Sequence, residues 1–250
     1  MRWPRRCATR TSDRAGRAAE VPFEIRTVSS FVVAVRDGLT SSADPAKARE
    51  MQRYMKSEMP FLGVQKPKCT QVTRSALREY PFTCRDDWLD AVLLLWRTAT
   101  YREERYAALH LAAHYPKWRD PTLIPVYDEL VVTGAWWDYV DEIATRCVGP
   151  LLRAYPVAIV PVMRTWSTDP DRWRRRVSII CQLGSKDVTD LELLRDSIEA
   201  NISDQDFFLR KAIGWALRQH ARVDAAWVRA FVDSHAELSP LSRREALKHL

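Results

Sequence analysis

Apolar residues recur at three- and four-residue intervals along most of this chain, and no alternating apolar–polar run of useful length interrupts them. That periodicity predicts amphipathic helices and no strands. It places helices near 24–39, 44–57, 69–79, 86–99, 102–114, 121–132, 138–148, 156–166, 171–182, 188–201, 206–220, 223–235 and 240–249. The breaks carry recognisable chemistry. Asp44-Pro45 reads as an N-cap followed by proline in the first turn, and Ser203 to Asp206 can cap the helix that follows. Pro60, Gly63 and Pro67 mark a loop, and Gly134, Pro150, Pro156, Pro161 and Pro170 punctuate later turns. Short connections force neighbouring helices antiparallel.

A second, longer period runs through the first. A polar side chain returns inside the apolar helices at Arg105, Asp141, Arg176 and Lys211, in steps of 36, 35 and 35 residues. The segments around them are ERYAALHLAAHY (104–115), WWDYVDEIA (136–144), WRRRVSIICQL (173–183) and FFLRKAIGWALRQH (207–220). A period of this size with two helices per unit predicts an all-α stack of helical repeats. In such a stack equivalent positions line one concave wall. Three cations and one carboxylate on that wall suggest a groove for a polyanion with a single acid inside it.

Spacing sharpens the candidates. Trp137 and Asp141 lie four apart and share a helix face, as do Arg172 and Arg176, and Lys211 and Trp215. The competing structural reading makes Asp138 an N-cap and Asp141 a first-turn acid steadied by the helix dipole. Arg174, Arg175 and Arg176 are consecutive and cannot all face one groove; Arg176 is the one in phase with Asp141 and Lys211. A phosphate role for Arg172 or Arg174 stays open beside the reading as a solvated face. Among the tryptophans, Trp88, Trp96, Trp118, Trp166 and Trp227 read as packing residues. Trp137 and Trp215 differ in sharing a face with an in-phase ionic residue, and an indole face suits a cationic ligand.

Composition changes the picture in two places. Of the net charge of +7, +4 sits in residues 1–26, where seven arginines face three acids, which leaves +7 − 4 = +3 for the remainder. The body is only mildly basic, so affinity for nucleic acid must come from clustering. Residues 1–22 therefore read as a disordered basic tail and 23–250 as one repeat domain. The five cysteines form no CxxC pair and read as reduced thiols in a cytoplasmic protein. His110 and His114 could touch a metal, but no third ligand stands near them, so no metal and no other cofactor is expected. No GxSxG, P-loop or HExxH motif is present, and no apolar run is long enough for a membrane span.

Together MQRYMKSEMPFLGVQKP (51–67), RYAALHL (105–111), WWDYVDEIA, RRRVSIICQL and KAIGWALR (211–218) resemble the DNA alkylation repair family, the AlkD-like alkylpurine DNA glycosylases. The likeness runs from about residue 24 to the end. It implies a right-handed solenoid of HEAT-like repeats gripping duplex DNA as a monomer, and hydrolysis of the N-glycosidic bond of purines made cationic by N3- or N7-alkylation, without rotating the base out. The family's catalytic carboxylate then falls on Asp141, its groove tryptophans on Trp137 and Trp215, its supporting arginine on Arg176 and its early tyrosine on Tyr54. Further DNA contacts fall to Lys66, Lys68, Arg105, Arg172 and Lys211. Many relatives carry a proline and paired arginines after the first loop; here the text is Pro67-Lys68-Cys69, which weakens the expected phosphate grip at that end. Two alternatives share the fold: a non-catalytic repeat scaffold binding DNA or protein, and a relative acting on bulky lesions or DNA junctions.

Overall fold

The computed structural model describes residues 23–250, with side chains from Thr27 onward; the predicted basic tail lies outside the described residues. All regular structure among these residues is helical. The helices gather into two compact units that divide after Trp118.

The first unit holds α1 (Phe23–Thr40), α2 (Pro45–Met55), α3 (Lys66–Glu79), α4 (Arg85–Arg97) and α5 (Arg102–Ala112), closed by a 3₁₀ turn at Pro116–Trp118. Asp44 caps α2 as its sequence predicts, accepting from the Ala46 and Lys47 amides. Phe31, Val35 and Leu39 of α1 are buried, as are Trp88, Val92 and Leu95 of α4, and α1 packs on α3, α4 and α5. The loop between α2 and α3 is tied down by the start of α5. Glu103 is fully buried there, and its carboxylate accepts three backbone N–H bonds, from Leu62 (3.0 Å), Gly63 (2.9 Å) and Val64 (3.0 Å). Arg102 adds its own amide to the Pro60 carbonyl at 3.0 Å and lays its guanidinium over Phe61. Gly63 cannot be replaced without strain: its φ is +85°, and a Cβ would stand 2.1 Å from the Asp44 carbonyl oxygen. The PFLG segment is thus part of a folded loop in which the donors of Leu62, Gly63 and Val64 share one carboxylate.

The second unit opens with a 3₁₀ turn at Pro121–Leu123, then α6 (Ile124–Gly134), α7 (Trp137–Ile143), a π turn at Ala144–Val148, α8 (Gly149–Ala154), α9 (Pro156–Ser167), α10 (Arg172–Ile180), α11 (Leu191–Glu199), α12 (Phe207–His220), α13 (Ala225–Ser234) and α14 (Pro240–Ala246). Two rows emerge. Helices α7, α10, α12 and α14 pack each on the next, while α9 packs on α10 and α11 on α9. Helices of one repeat unit recur one unit later as neighbours, which is the stacking that the 35-residue period predicts. Asp171, Asp190, Asp206, Asp224 and Ser239 each cap the helix they precede through a side-chain oxygen.

Two expected breaks, Pro150 and Pro161, are misplaced, while Gly134 does end its helix. Pro150 ends nothing, because the chain passes from α7 through the π turn into α8 without leaving helical geometry. Pro161 sits inside α9, on its exposed side. The left-handed residue that closes α6 is Ala135, at φ 43°, one position after Gly134.

Candidate active site

Asp141 lies in the middle of α7, a short helix that the sequence starts with an extended Trp136 and ends in the π turn. The N-cap position belongs to Trp136, and the first-turn acid is Asp138. Asp141 is one turn further on, so neither half of the capping alternative describes it. Local widening follows at once: the Thr145 hydroxyl donates to the Asp141 carbonyl at 2.6 Å, and single π turns of this kind recur at functional sites.

The carboxylate of Asp141 meets Arg176 of α10 head-on. Arg176 Nε donates to Oδ1 at 2.7 Å and Nη2 to Oδ2 at 2.9 Å, a two-pronged pair. Nη1 of the same guanidinium donates to the Phe208 carbonyl at the start of α12. Three helices therefore hold one arginine still. The Arg176 side chain keeps 6% of its exposure and that of Asp141 keeps 16%, so the acid is the more open member of the pair. Behind the pair Trp136, Trp173 and Phe208 pack ring against ring at 5.0–6.2 Å.

Each neighbouring arginine has its own acid. Arg174 pairs with both oxygens of Asp128 at 2.7 and 2.8 Å, and these bonds hold its pKa above the ordinary arginine value. Arg175 pairs with Asp204, and Arg172 donates to Asp206 at 3.0 Å while lying over Trp173. The arginine run is a set of inter-helix ties, and Arg176 is the member that meets Asp141.

Lys211 of α12 donates to Glu245 of α14 at 3.0 Å, and Arg218 binds the other carboxylate oxygen. The Glu245 carboxyl is held below its ordinary pKa, chiefly by the Lys211 hydrogen bond. Glu245 stands 34 residues after Lys211, one short of the 35-residue step that joins 141, 176 and 211. The period by itself points to Ala246, so only the packing of α14 on α12 singles out Glu245. Gly214 explains the approach: a Cβ there would lie 2.5 Å from the Glu245 Cβ and 2.9 Å from the Ser242 carbonyl oxygen. Gly214→Ala is expected to push α14 off α12 at a cost of about 1–3 kcal/mol, read as a lower denaturation midpoint.

Trp137 and Trp215 are half-buried, and neither ring has an aromatic partner among the described residues, unlike Trp136 or Trp173. Trp137 shares the Asp141 face of α7, and Trp215 sits one turn beyond Lys211 on α12. Tyr54, Lys66, Lys68 and Arg105 belong to the first unit. Tyr54 is 76% exposed on α2, Lys66 and Lys68 are exposed at the start of α3, and the Arg105 guanidinium lies 4.7 Å above the Trp96 ring. A further residue that went unnoticed is Glu103, whose role in holding the loop depends on contacts about 40 residues away in sequence.

A profile of the DNA alkylation repair enzyme family matches residues 35–250. The chain belongs to that family. A solved structure described as a predicted DNA alkylation repair enzyme from Enterococcus faecalis superposes with a TM-score of 0.76 at 28% identity, covering 84% of this chain and 97% of that one. No curated protein matches the chain. Membership places this protein in DNA alkylation repair and agrees with the all-helical repeat fold. Among the described residues no helix is long and apolar enough to cross a membrane.

Proposed function

We propose that this family member is a DNA glycosylase that hydrolyses the N-glycosidic bond of cationic N3- or N7-alkylated purines in duplex DNA. The observation that carries the reading is the Asp141–Arg176 pair: a carboxylate fixed at both oxygens, partly exposed, on the same helix face as a half-exposed indole. A surface acid has no need of a buried guanidinium bound on three sides.

The chemistry asks for little more. An alkylated purine already carries the positive charge that protonation would supply, so when the bond from the sugar C1′ to the base nitrogen breaks, the electron pair neutralises the leaving base. One carboxylate then suffices where most glycosidases use two. Asp141 stabilises the oxocarbenium character at C1′ and O4′, and orients the water that adds to C1′. Arg176 keeps the carboxylate charged and aimed, since a nearby cation favours the ionised form. The indole faces of Trp137 and Trp215 favour a cationic nucleotide over a neutral one. With the lesion left in the duplex, selectivity follows charge and bond lability.

Backbone contacts follow the exposed groups. The candidate phosphate contacts are Tyr54, Lys66 and Lys68 in the first unit, and in the second Arg172 and Lys211, which would exchange Asp206 and Glu245 for phosphate. Arg105, laid over Trp96, contributes field more than reach. Binding should weaken with salt and ignore sequence. The test is incubation with duplex DNA methylated at N7 of guanine and N3 of adenine. Free alkylpurine and abasic sites should accumulate with enzyme; intact lesions on bound DNA would leave a non-catalytic binder in its place.

A further inference from the structure

The spacing Asp-x-Asp occurs in the second unit at Asp169 and Asp171, and again 35 residues later at Asp204 and Asp206. Both copies are used alike. In each, an oxygen of the first acid accepts the N–H of the second, at 2.8 Å for Asp169 and 2.7 Å for Asp204, and the second acid then caps a helix. Asp171 caps α10, the helix that carries Arg176. Asp206 caps α12, the helix that receives the Arg176 guanidinium.

At α12 the two oxygens of Asp206 have separate partners. Oδ1 accepts the N–H groups of Phe208 at 2.7 Å and Leu209 at 3.1 Å, while Oδ2 accepts from Arg172 at 3.0 Å. The Arg172 guanidinium also lies 5.9 Å from the centre of the Phe208 ring, which packs on Trp136 at 5.5 Å and Trp173 at 5.0 Å. Arg175 reaches the same segment through Asp204. Phe208 is therefore fixed by its N–H and by its ring, and its carbonyl accepts from Nη1 of Arg176. Among the described residues this carbonyl is the hold on Arg176 that does not come from Asp141 itself. With Nη1 anchored there, the rigid fork turns Nε and Nη2 toward the carboxylate.

We infer that Asp206 is a positioning residue for the glycosidic cleavage: through Oδ1 it holds the Phe208 peptide that orients Arg176, and Arg176 in turn aims Asp141. This rests on the reading of Asp141 as the acid that faces the sugar. Because Oδ1 caps and Oδ2 pairs, a phosphate that draws Arg172 away from Oδ2 leaves the hold on Phe208 in place. Asp190 and Asp224 have no such connection. They cap α11 and α13 through the amides of Leu193 and Trp227, and neither helix bonds Arg176 among the described residues.

Two readouts on the whole chain test this. The first is the ¹⁵N-resolved signal of the Arg176 Nε–H, assigned by its loss in Arg176→Lys, which reports the bond to Asp141 Oδ1 without any substrate. In Asp206→Ala that proton should lose its protection from exchange with solvent, and Asp206→Asn, which keeps a capping oxygen, should restore it. The second is single-turnover release of N7-methylguanine. It should fall roughly ten- to a hundredfold in Asp206→Ala, the scale on which misplacing a reacting group is felt, with DNA bound no more weakly, and recover in Asp206→Asn. Asp190→Ala and Asp224→Ala remove caps of the same kind and should move neither readout. Asp206→Gly costs a helix start less than alanine does and replaces it as the test if alanine unfolds the chain. An Arg176 signal in Asp206→Ala like that of the parent would overturn the inference. So would a lost signal with a parental release rate, an equal loss in the Asp190 or Asp224 variant, or no recovery with asparagine. A parent that releases no base would overturn the glycosylase reading, while the hold of Asp206 on Arg176 is still judged by the Nε–H signal of the free protein.

Discussion

Replacing Asp141 with asparagine is expected to lower release of N7-methylguanine from methylated duplex by at least about a hundredfold, the scale on which loss of a preorganised electrostatic stabiliser is felt. Asparagine keeps the shape and can still accept one bond from Arg176, so the fold and the affinity for DNA should stay near those of the parent. What disappears is the negative charge opposite the sugar as it becomes an oxocarbenium ion. Single-turnover release of free base, compared with binding in a mobility shift, separates the two effects. If the variant released base at the parent rate, Asp141 would have no part in the reaction. Arg176→Ala should also slow release, through a carboxylate that is no longer held by Nε and Nη2. It should further loosen the start of α12, because the Phe208 carbonyl loses its donor.

The second large effect concerns stability. Glu103→Gln should destabilise the first unit by about 3 kcal/mol, since hydrogen bonds to a charged acceptor are worth about 1.5–3 kcal/mol each. Three backbone N–H groups converge on this carboxylate in a place without water. The amide nitrogen of glutamine would face at least one of them donor to donor. For a chain of this length that corresponds to a melting temperature lower by roughly 6–12 °C, measurable by circular dichroism. An unchanged melting curve would show that the loop after α2 satisfies its donors in another way. Glycosylase activity at low temperature should suffer less than stability, because Glu103 is in the unit that does not contain Asp141.

How much of this could be read beforehand differs from place to place. The helices were legible because each must bury one stripe, and that requirement writes a three-to-four-residue rhythm into the chain. The pairing of Asp141 with Arg176 was legible for a related reason: stacked repeats bring equivalent positions together, so a 35-residue step is also a contact. The same rule lands one residue beyond Glu245, whose partners Lys211 and Arg218 lie on either side of Gly214. Proline misled the reading at Pro150 and Pro161, because its local preference is weak against a helix packed on its neighbours. Glu103 left no signal at all. It looks like any acid in a first helical turn, and only the fold of the preceding loop turns three amides toward it.

The amino-acid sequence by itself determined the all-helical class, the repeat length, the family and the residue types that could perform the chemistry, since all of these are written in periodic or local patterns. Tertiary structure alone decided which acid each of the other arginines binds, and that three amides of the loop after α2 converge on Glu103. Those outcomes depend on distances between side chains far apart in the chain, and a distance of that kind exists only once the helices have packed.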